Sequence, residues 1–271
     1  MDRRPIGVFD SSLGGLTAVR QLMEQLPGED IIYFGDTGRV PYGTRSHEII
    51  LKYTRQDINF LMQFDIKAIV IACNTADTVA GATVQREYQV PIWGALHPAA
   101  KRAAETTRSG KIGVIGTNAT VKAGAYEGIL RTLRPEVQVR SVACPLLVPL
   151  VENHRYQPGD RAVELIVGEY LQPLKEWGCD TLVLGCTHYP LLWDVIAAYM
   201  GPEVTLINSG REAARSLAET LRQGDLLSGR EQGGACRYYV SDSTEGFAEM
   251  ASLFLQRPVD KQVEQIDIER Y

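Results

Sequence analysis

The segment Lys67-Ala68-Ile69-Val70-Ile71-Ala72-Cys73-Asn74-Thr75-Ala76 joins a buried strand to a reactive group. Ile69, Val70 and Ile71 form a short apolar, β-branched run, as expected of a parallel strand covered on both faces. The run stops at Cys73, and Asn74, Thr75 and the small residues after them read as a helix start. A thiol is thereby set at the carboxyl end of a strand and beside a helix N-terminus, where open α/β sheets bind their ligands. Residues 181–190, Thr-Leu-Val-Leu-Gly-Cys-Thr-His-Tyr-Pro, repeat the design with Cys186 at the equivalent point. The two cysteines are expected to face each other across one small substrate.

Outward from that stretch the chain alternates between strand and helix. Strands are expected at 6–9, 31–34, 68–72 and from 91, with helices at 13–26, 46–65 and from 74 to 88. The second half offers strands at 111–115, 137–142, 181–185 and 204–207. Its helices fall at 98–107, 121–133, from 159, and at 212–221. Residues 144–158, with several prolines, read as irregular. A last strand at 237–240 and a helix at 244–255, with 242–245 resembling a capping box, complete the pattern. Such alternation implies α/β architecture: two similar doubly wound domains with mainly parallel sheets and a cleft at the strand carboxyl ends. The halves echo each other, since Gly7-Val8-Phe9-Asp10-Ser11 corresponds to Gly113-Val114-Ile115-Gly116-Thr117. With no low-complexity linker between the halves, the chain is free to cross between domains more than once.

Composition narrows the function classes. The 271 residues are 45% hydrophobic and 23% charged, as in a soluble globular protein, with a net charge of −5. No block of Lys and Arg stands out, so neither nucleic acid nor an anionic membrane is expected as the main partner. The N-terminus lacks the apolar core of a signal peptide, and no run approaches the ~18 apolar residues of a membrane span. Five cysteines without a secretory signal point to reduced thiols and a cytoplasmic location. Zinc ligation by Cys179, Cys186 and His188 lacks any C-x-x-C pair, so no metal is expected. Cys144, Cys179 and Cys236 read as structural or incidental.

If the strand ends share a cleft, the first half brings Asp10, Ser11, Tyr42, Cys73, Asn74 and Thr75 to it, and the second Thr117, Asn118, Thr120, Cys186, Thr187 and His188. Hydroxyls, amides and helix N-termini suit a small anionic ligand with several oxygens. Two opposed thiols suit two-base proton transfer, in which one thiolate removes a proton while the other thiol donates from the opposite face. Inversion of a carbon stereocentre needs that pair, because a single base returns the proton to its original side. A free thiol has a pKa of ~8.5, and the two must hold opposite protonation states. His188, if protonated, favours a thiolate at Cys186, and Asp10, if near Cys73, disfavours one there. Blander readings stand beside these: a buried strand often ends in a packed cysteine, Asp10-Ser11 could simply cap the first helix, and Tyr42-Gly43 could be only a turn. A cysteine hydrolase using Cys186 leaves Cys73 unexplained, and a two-lobed binding module needs no thiols.

Six stretches carry a family resemblance: Asp10-Ser11 with Gly14-Gly15; Gly35-Asp36-Thr37 through Val40-Pro41-Tyr42-Gly43; Ala72 to Ala76; Gly113 to Thr120; Pro149-Leu150-Val151-Glu152; and Gly185 to Pro190. The chain resembles the glutamate racemase family of the cofactor-independent aspartate/glutamate racemase superfamily from residue 6 to about 255. The resemblance implies interconversion of L- and D-glutamate without pyridoxal phosphate or other cofactor, supplying D-glutamate for peptidoglycan. It implies acid/base roles for Cys73 and Cys186, and substrate contacts from Asp10, Ser11, Tyr42, Gly43, Asn74, Thr75, Thr187 and His188, with Thr117, Thr120 and Glu152 as further additions. It also implies one domain of 1–97 with 208–271, a second of 98–207, and a homodimer. Ser12 departs from the family, which usually has glycine there. An aspartate or other amino-acid racemase is the nearest rival within the same chemistry.

Overall fold

The computed structural model of the chain describes residues 1–259 and 263–271. In chain order the first elements are β1 (Ile6–Asp10), α1 (Leu16–Gln25), β2 (Ile31–Gly35), α2 (His47–Leu61) and β3 (Ala68–Ile71). α3 (Asn74–Ala76) and α4 (Ala82–Glu87) follow, bridged by a π-helical turn over Asp77–Gly81, and then β4 (Ile92–Gly94) and α5 (Leu96–Thr106). The second sheet's strands begin with β5 (Lys111–Gly116), α6 (Asn118–Ala123), α7 (Ala125–Leu133), β6 (Gln138–Ala143), α8 (Leu147–Glu152) and α9 (Arg161–Trp177). They continue through β7 (Thr181–Gly185), α10 (Trp193–Met200), β8 (Thr205–Asn208) and α11 (Ser209–Gln223). The chain closes with β9 (Cys236–Val240), α12 (Phe247–Leu255) and β10 (Val263–Gln265).

The strands form a six-stranded sheet in the order β10-β9-β2-β1-β3-β4 and a four-stranded sheet in the order β6-β5-β7-β8. All pairings are parallel, with Val8 of β1 set between Tyr33 and Val70, and Val114 of β5 between Ser141 and Val183. The order 2-1-3-4 in the first sheet thus recurs as 6-5-7-8 in the second. β3 and β7, the strands that end before the two cysteines, occupy the same place in their sheets. β1, β2, β3 and β7 are buried along their whole length, which is why they read as unbroken apolar runs.

Several local signals act as expected. Ser46 caps α2 by accepting from Ile49 N, Thr117 caps α6 through Thr120 N, and Asp160 caps α9. α9 stops at Gly178, whose φ of +77° places it in the left-handed region. Lys67, at the head of β3, is buried and paired with Glu29 at 2.6 Å, and its ammonium donates to Asp2 O and Leu226 O. That one cation anchors the N-terminal segment and the 226 loop to the base of the sheet.

Three expectations need correction, and one strand was not foreseen. Residues 144–158 are not wholly irregular, because α8 occupies part of them; Pro149 lies in its first turn, where no intrahelical N–H is lost. The expected single helix 121–133 is two, broken by Gly124 at φ +63°. The capping box at 242–245 does not open a helix: α12 begins after Gly246, at φ +71°. The strand β10, which joins the first sheet beside β9, has no clear signal in its short polar sequence.

Candidate functional site

Because the strands of each sheet are parallel, their carboxyl ends deliver residues to one side. Cys73 follows β3 as the cap of α3, accepting from Ala76 N at 3.4 Å, and donates to Ser11 Oγ at 3.4 Å. Cys186 follows β7, and its Sγ lies 3.9 Å from His188 Nδ1. Both thiols line one cavity of about 280 Å³, near the small end of the roughly 300–1,000 Å³ typical of ligand pockets. Ser11, Tyr42, Gly43, Asn74, Thr75, Thr117, Glu152, Thr187 and His188 line it too, so most of the residues expected from sequence come together.

Asp10 and Thr120 are buried just behind this wall. Thr120 Oγ1 lies 3.1 Å from Thr117 Oγ1 and 3.4 Å from Thr75 Oγ1, and Thr75 and Thr117 are 2.9 Å apart. This hydroxyl cluster joins the two sheets at the cavity. Asn74 also bridges them: its amide accepts from Tyr126 at 2.6 Å and donates to Ser209 at 3.0 Å. Thr17 Oγ1 donates to Thr187 O at 2.9 Å. Gly14 is required by the same closeness, since a β-carbon there would fall 2.5 Å from the His188 ring and 2.6 Å from Thr187 Oγ1.

Tyr42 contributes its position rather than its hydroxyl. The hydroxyl donates to Asp36 and lies 3.0 Å from Asp57 Oδ2, and Arg39 bonds the same two carboxyls at 2.7 and 3.1 Å. Burial and the neighbouring Asp36 push Asp57 well above the usual carboxylate range, against the Arg39 charge and the Tyr42 hydroxyl. Arg39 also reaches Glu269 at 3.3 Å, so the C-terminal turn braces the loop that holds Tyr42.

The two thiols have different electrostatic settings. Burial and the charge of Asp10 push Cys73 up to about 12, against the donors Ser11 and Ala76, so it is held as a thiol. Burial also raises the Asp10 carboxyl, although the His188 charge and donors from Ser12 and Gly15 oppose it. Beside Cys186, burial disfavours the His188 cation, but bonds to Cys186 and to Glu152 Oε1, 3.1 Å from Nε2, outweigh it and raise His188 to about 10. His188 is therefore a cation at neutral pH, touching one sulfur. Its ring stands edge-on to Phe254 of α12 at 5.3 Å, which fixes its plane. A thiol and a cation-paired sulfur in one cavity can accept a proton on one side and deliver one on the other.

The cavity wall also holds Ser12, marked in the sequence only as a departure from the family, together with Cys144 and the start of α8, which carried no site signal. Cys144 is therefore not incidental in position, though its buried thiol donates only weakly, to Val142 O at 3.6 Å. Phe254 carried no signal beyond ordinary helical spacing. Among the described residues, no group of three or more His, Cys, Asp or Glu side chains is placed to hold a metal ion, and no helix is long and apolar enough to cross a membrane.

A model of the Asp/Glu/hydantoin racemase family matches residues 6–217. The chain belongs to this family. As a racemase it is an isomerase. A protein of Geobacter metallireducens named glutamate racemase is 46% identical over 94% of this chain and 94% of its own. Among solved structures, glutamate racemase from Bacillus anthracis superposes with a TM-score of 0.92 at 39% identity, covering 98% of each chain. The racemase of Francisella tularensis, solved with D-glutamate, superposes at 0.91 and 36% identity over the whole of both chains. The doubled parallel-sheet architecture of this racemase is thus shared with enzymes of the same family.

Proposed function

We propose that this racemase interconverts L- and D-glutamate by proton transfer between Cys73 and Cys186, without pyridoxal phosphate, and supplies D-glutamate for peptidoglycan synthesis. The observation that carries the reading is the pair of thiols at equivalent strand ends, sharing one small cavity but differing in charge environment. Relatives named glutamate racemase, and the structure with D-glutamate bound, favour glutamate as substrate.

With its partner His188 charged, Cys186 acts as thiolate and removes the α-proton of one enantiomer: the C–H bond breaks and an S–H bond forms. The Cys73 thiol gives its proton to the opposite face of the α-carbon, and its S–H bond breaks as the new C–H bond forms. The enzyme is left with Cys186 as thiol and Cys73 as thiolate, the form suited to the other enantiomer. The starting form returns by turnover of the other enantiomer or through solvent: Asp10 in its acid form gives a proton to the Cys73 thiolate and regains one from water, while the Cys186 thiol releases its proton to water and the thiolate pairs with the His188 cation, which keeps its own proton. Backbone and hydroxyl donors of Ser11, Tyr42, Gly43, Asn74, Thr75, Thr117 and Thr187 hold the carboxylates, Thr120 supports Thr75 and Thr117 from behind, and Glu152 and His188 complete the wall around the substrate. We take 1–97 with 208–271 and 98–207 as the two domains, and the protein as a cytoplasmic homodimer.

The test is incubation of the purified protein with L- and D-glutamate, and separately with aspartate, in D₂O without added cofactor. Solvent deuterium enters the α-position of glutamate as the enantiomer forms. Absence of exchange with every amino acid overturns the racemase reading, and exchange with aspartate alone overturns the substrate.

A further inference from the structure

Ser12 stands in the turn between β1 and α1, buried and on the cavity wall. Its backbone N–H and its hydroxyl lie 3.0 and 3.3 Å from the same oxygen, Asp10 Oδ1. The hydroxyl oxygen accepts from Gly14 N at 3.2 Å, and Ser12 O accepts from the Tyr33 hydroxyl at 2.6 Å. Among the described residues, Asp10 Oδ2 is buried with no hydrogen-bond partner. A buried acceptor in that state is costly unless it has work to do. Gly15 lets the turn fold against Asp10, since a β-carbon there would fall 2.4 Å from Asp10 Cβ.

We propose that Ser12 is a positioning residue for Asp10: its hydroxyl occupies Oδ1 and fixes the carboxylate, leaving Oδ2 as the oxygen that exchanges a proton. The inference rests on the reading of Asp10 as the group that serves the Cys73 side. Donation by the hydroxyl favours the charged carboxylate. The other titratable groups facing Asp10 are His188, Cys73, Tyr33 and Asp57, whereas the Ser12 hydroxyl itself bonds Asp10 and Gly14.

Enantiomers have equal free energy in water, so kcat/KM is equal in the two directions for every variant, and only the separate kcat values can diverge. Ser12→Ala is expected to move the acid limb of the kcat profile up by about half a unit to one unit, the worth of a weak bond to a charged group. It is also expected to change the ratio of the two kcat values by about threefold or more. Ser12→Thr, which keeps the hydroxyl, restores the limb. Ser12→Gly, which adds nothing to the turn, behaves as Ser12→Ala. An unmoved limb and an unmoved ratio in both the alanine and glycine variants overturn the proposal. Asp10→Asn is measured alongside: if it loses the acid limb while Ser12→Ala keeps it, the Ser12 proposal alone fails. If Asp10→Asn keeps the wild-type limb and ratio, the reading of Asp10 fails and the proposal with it.

Discussion

Glu152→Gln removes the anion beside His188 while keeping the side chain's shape. At 3.1 Å, and with 42% of the carboxylate side chain open to solvent, the charge pair is worth roughly 1–3 kcal/mol at an effective dielectric constant of about 40–80. At ~1.4 kcal/mol per pKa unit this is a fall of about one to two units, which takes His188 from about 10 to roughly 8–9. The direction follows from the charge: loss of the anion disfavours the imidazolium. The proton on His188 contributes stability fully present below its unfolded pKa of ~6.5 and lost as pH rises through about 10 in the wild type. In the variant that loss comes at lower pH. Because the imidazolium lies 3.9 Å from the Cys186 sulfur, the base limb of the kcat profile moves with it. The assay is NMR titration of protein labelled in the histidine ring nitrogens, run beside kcat against pH in both directions. Activity near pH 7 falls little, whereas activity near pH 9 falls steeply. A His188 titration and base limb that both stay at the wild-type position refute the charge coupling, as does a neutral His188 in the wild type at pH 7.

Two further outcomes follow from the surrounding network. Asp57→Asn imitates the protonated acid and costs less than about 1 kcal/mol of stability, whereas Asp57→Ala leaves Tyr42 and Arg39 short of a partner and costs about 2–4 kcal/mol in chemical denaturation. The raised pKa of Asp57 means that its contribution is present below ~4 and lost as pH rises through the folded value, so Asp57→Asn flattens the decline of stability between those two values. Gly14→Ala drives a methyl group into His188 and Thr187; it lowers kcat by about 100-fold and destabilises by about 1–3 kcal/mol, read by initial rates and thermal melting.

The sheets and both thiols were legible because their signals are local. Ile69–Val70–Ile71 and Leu182–Val183–Leu184 are short apolar runs that stop at a cysteine, and parallel order places such stops at the cavity. The polar groups Asn74, Thr75, Thr187 and His188 were legible because they have no packing purpose at the end of a buried strand. What the sequence withheld depends on contacts distant along the chain. Nothing near Tyr42 tells that Arg39, Asp57 and Glu269 would engage its surroundings, with Glu269 more than two hundred residues away. Phe254 reaches His188 from α12, and its spacing is that of any buried helix face. Ser12 stands out in the sequence as a departure from the family's glycine, but where its hydroxyl points depends on the folded turn, which sets it on Asp10. α8 was obscured by Pro149, whose tolerance in a first helical turn overrides its usual meaning.

The two-thiol account is tested most directly by α-proton exchange in D₂O with Cys73→Ala and Cys186→Ala, followed by NMR and chiral analysis for each enantiomer of glutamate. A single remaining thiol can take a proton from one face only and, once its S–H has exchanged with D₂O, must return a deuteron to that same face. Each variant is therefore expected to wash deuterium into one enantiomer without inversion, with opposite enantiomers for the two variants and racemisation lost in both. Racemisation at an appreciable rate by either variant, or exchange of the same enantiomer by both, contradicts the account.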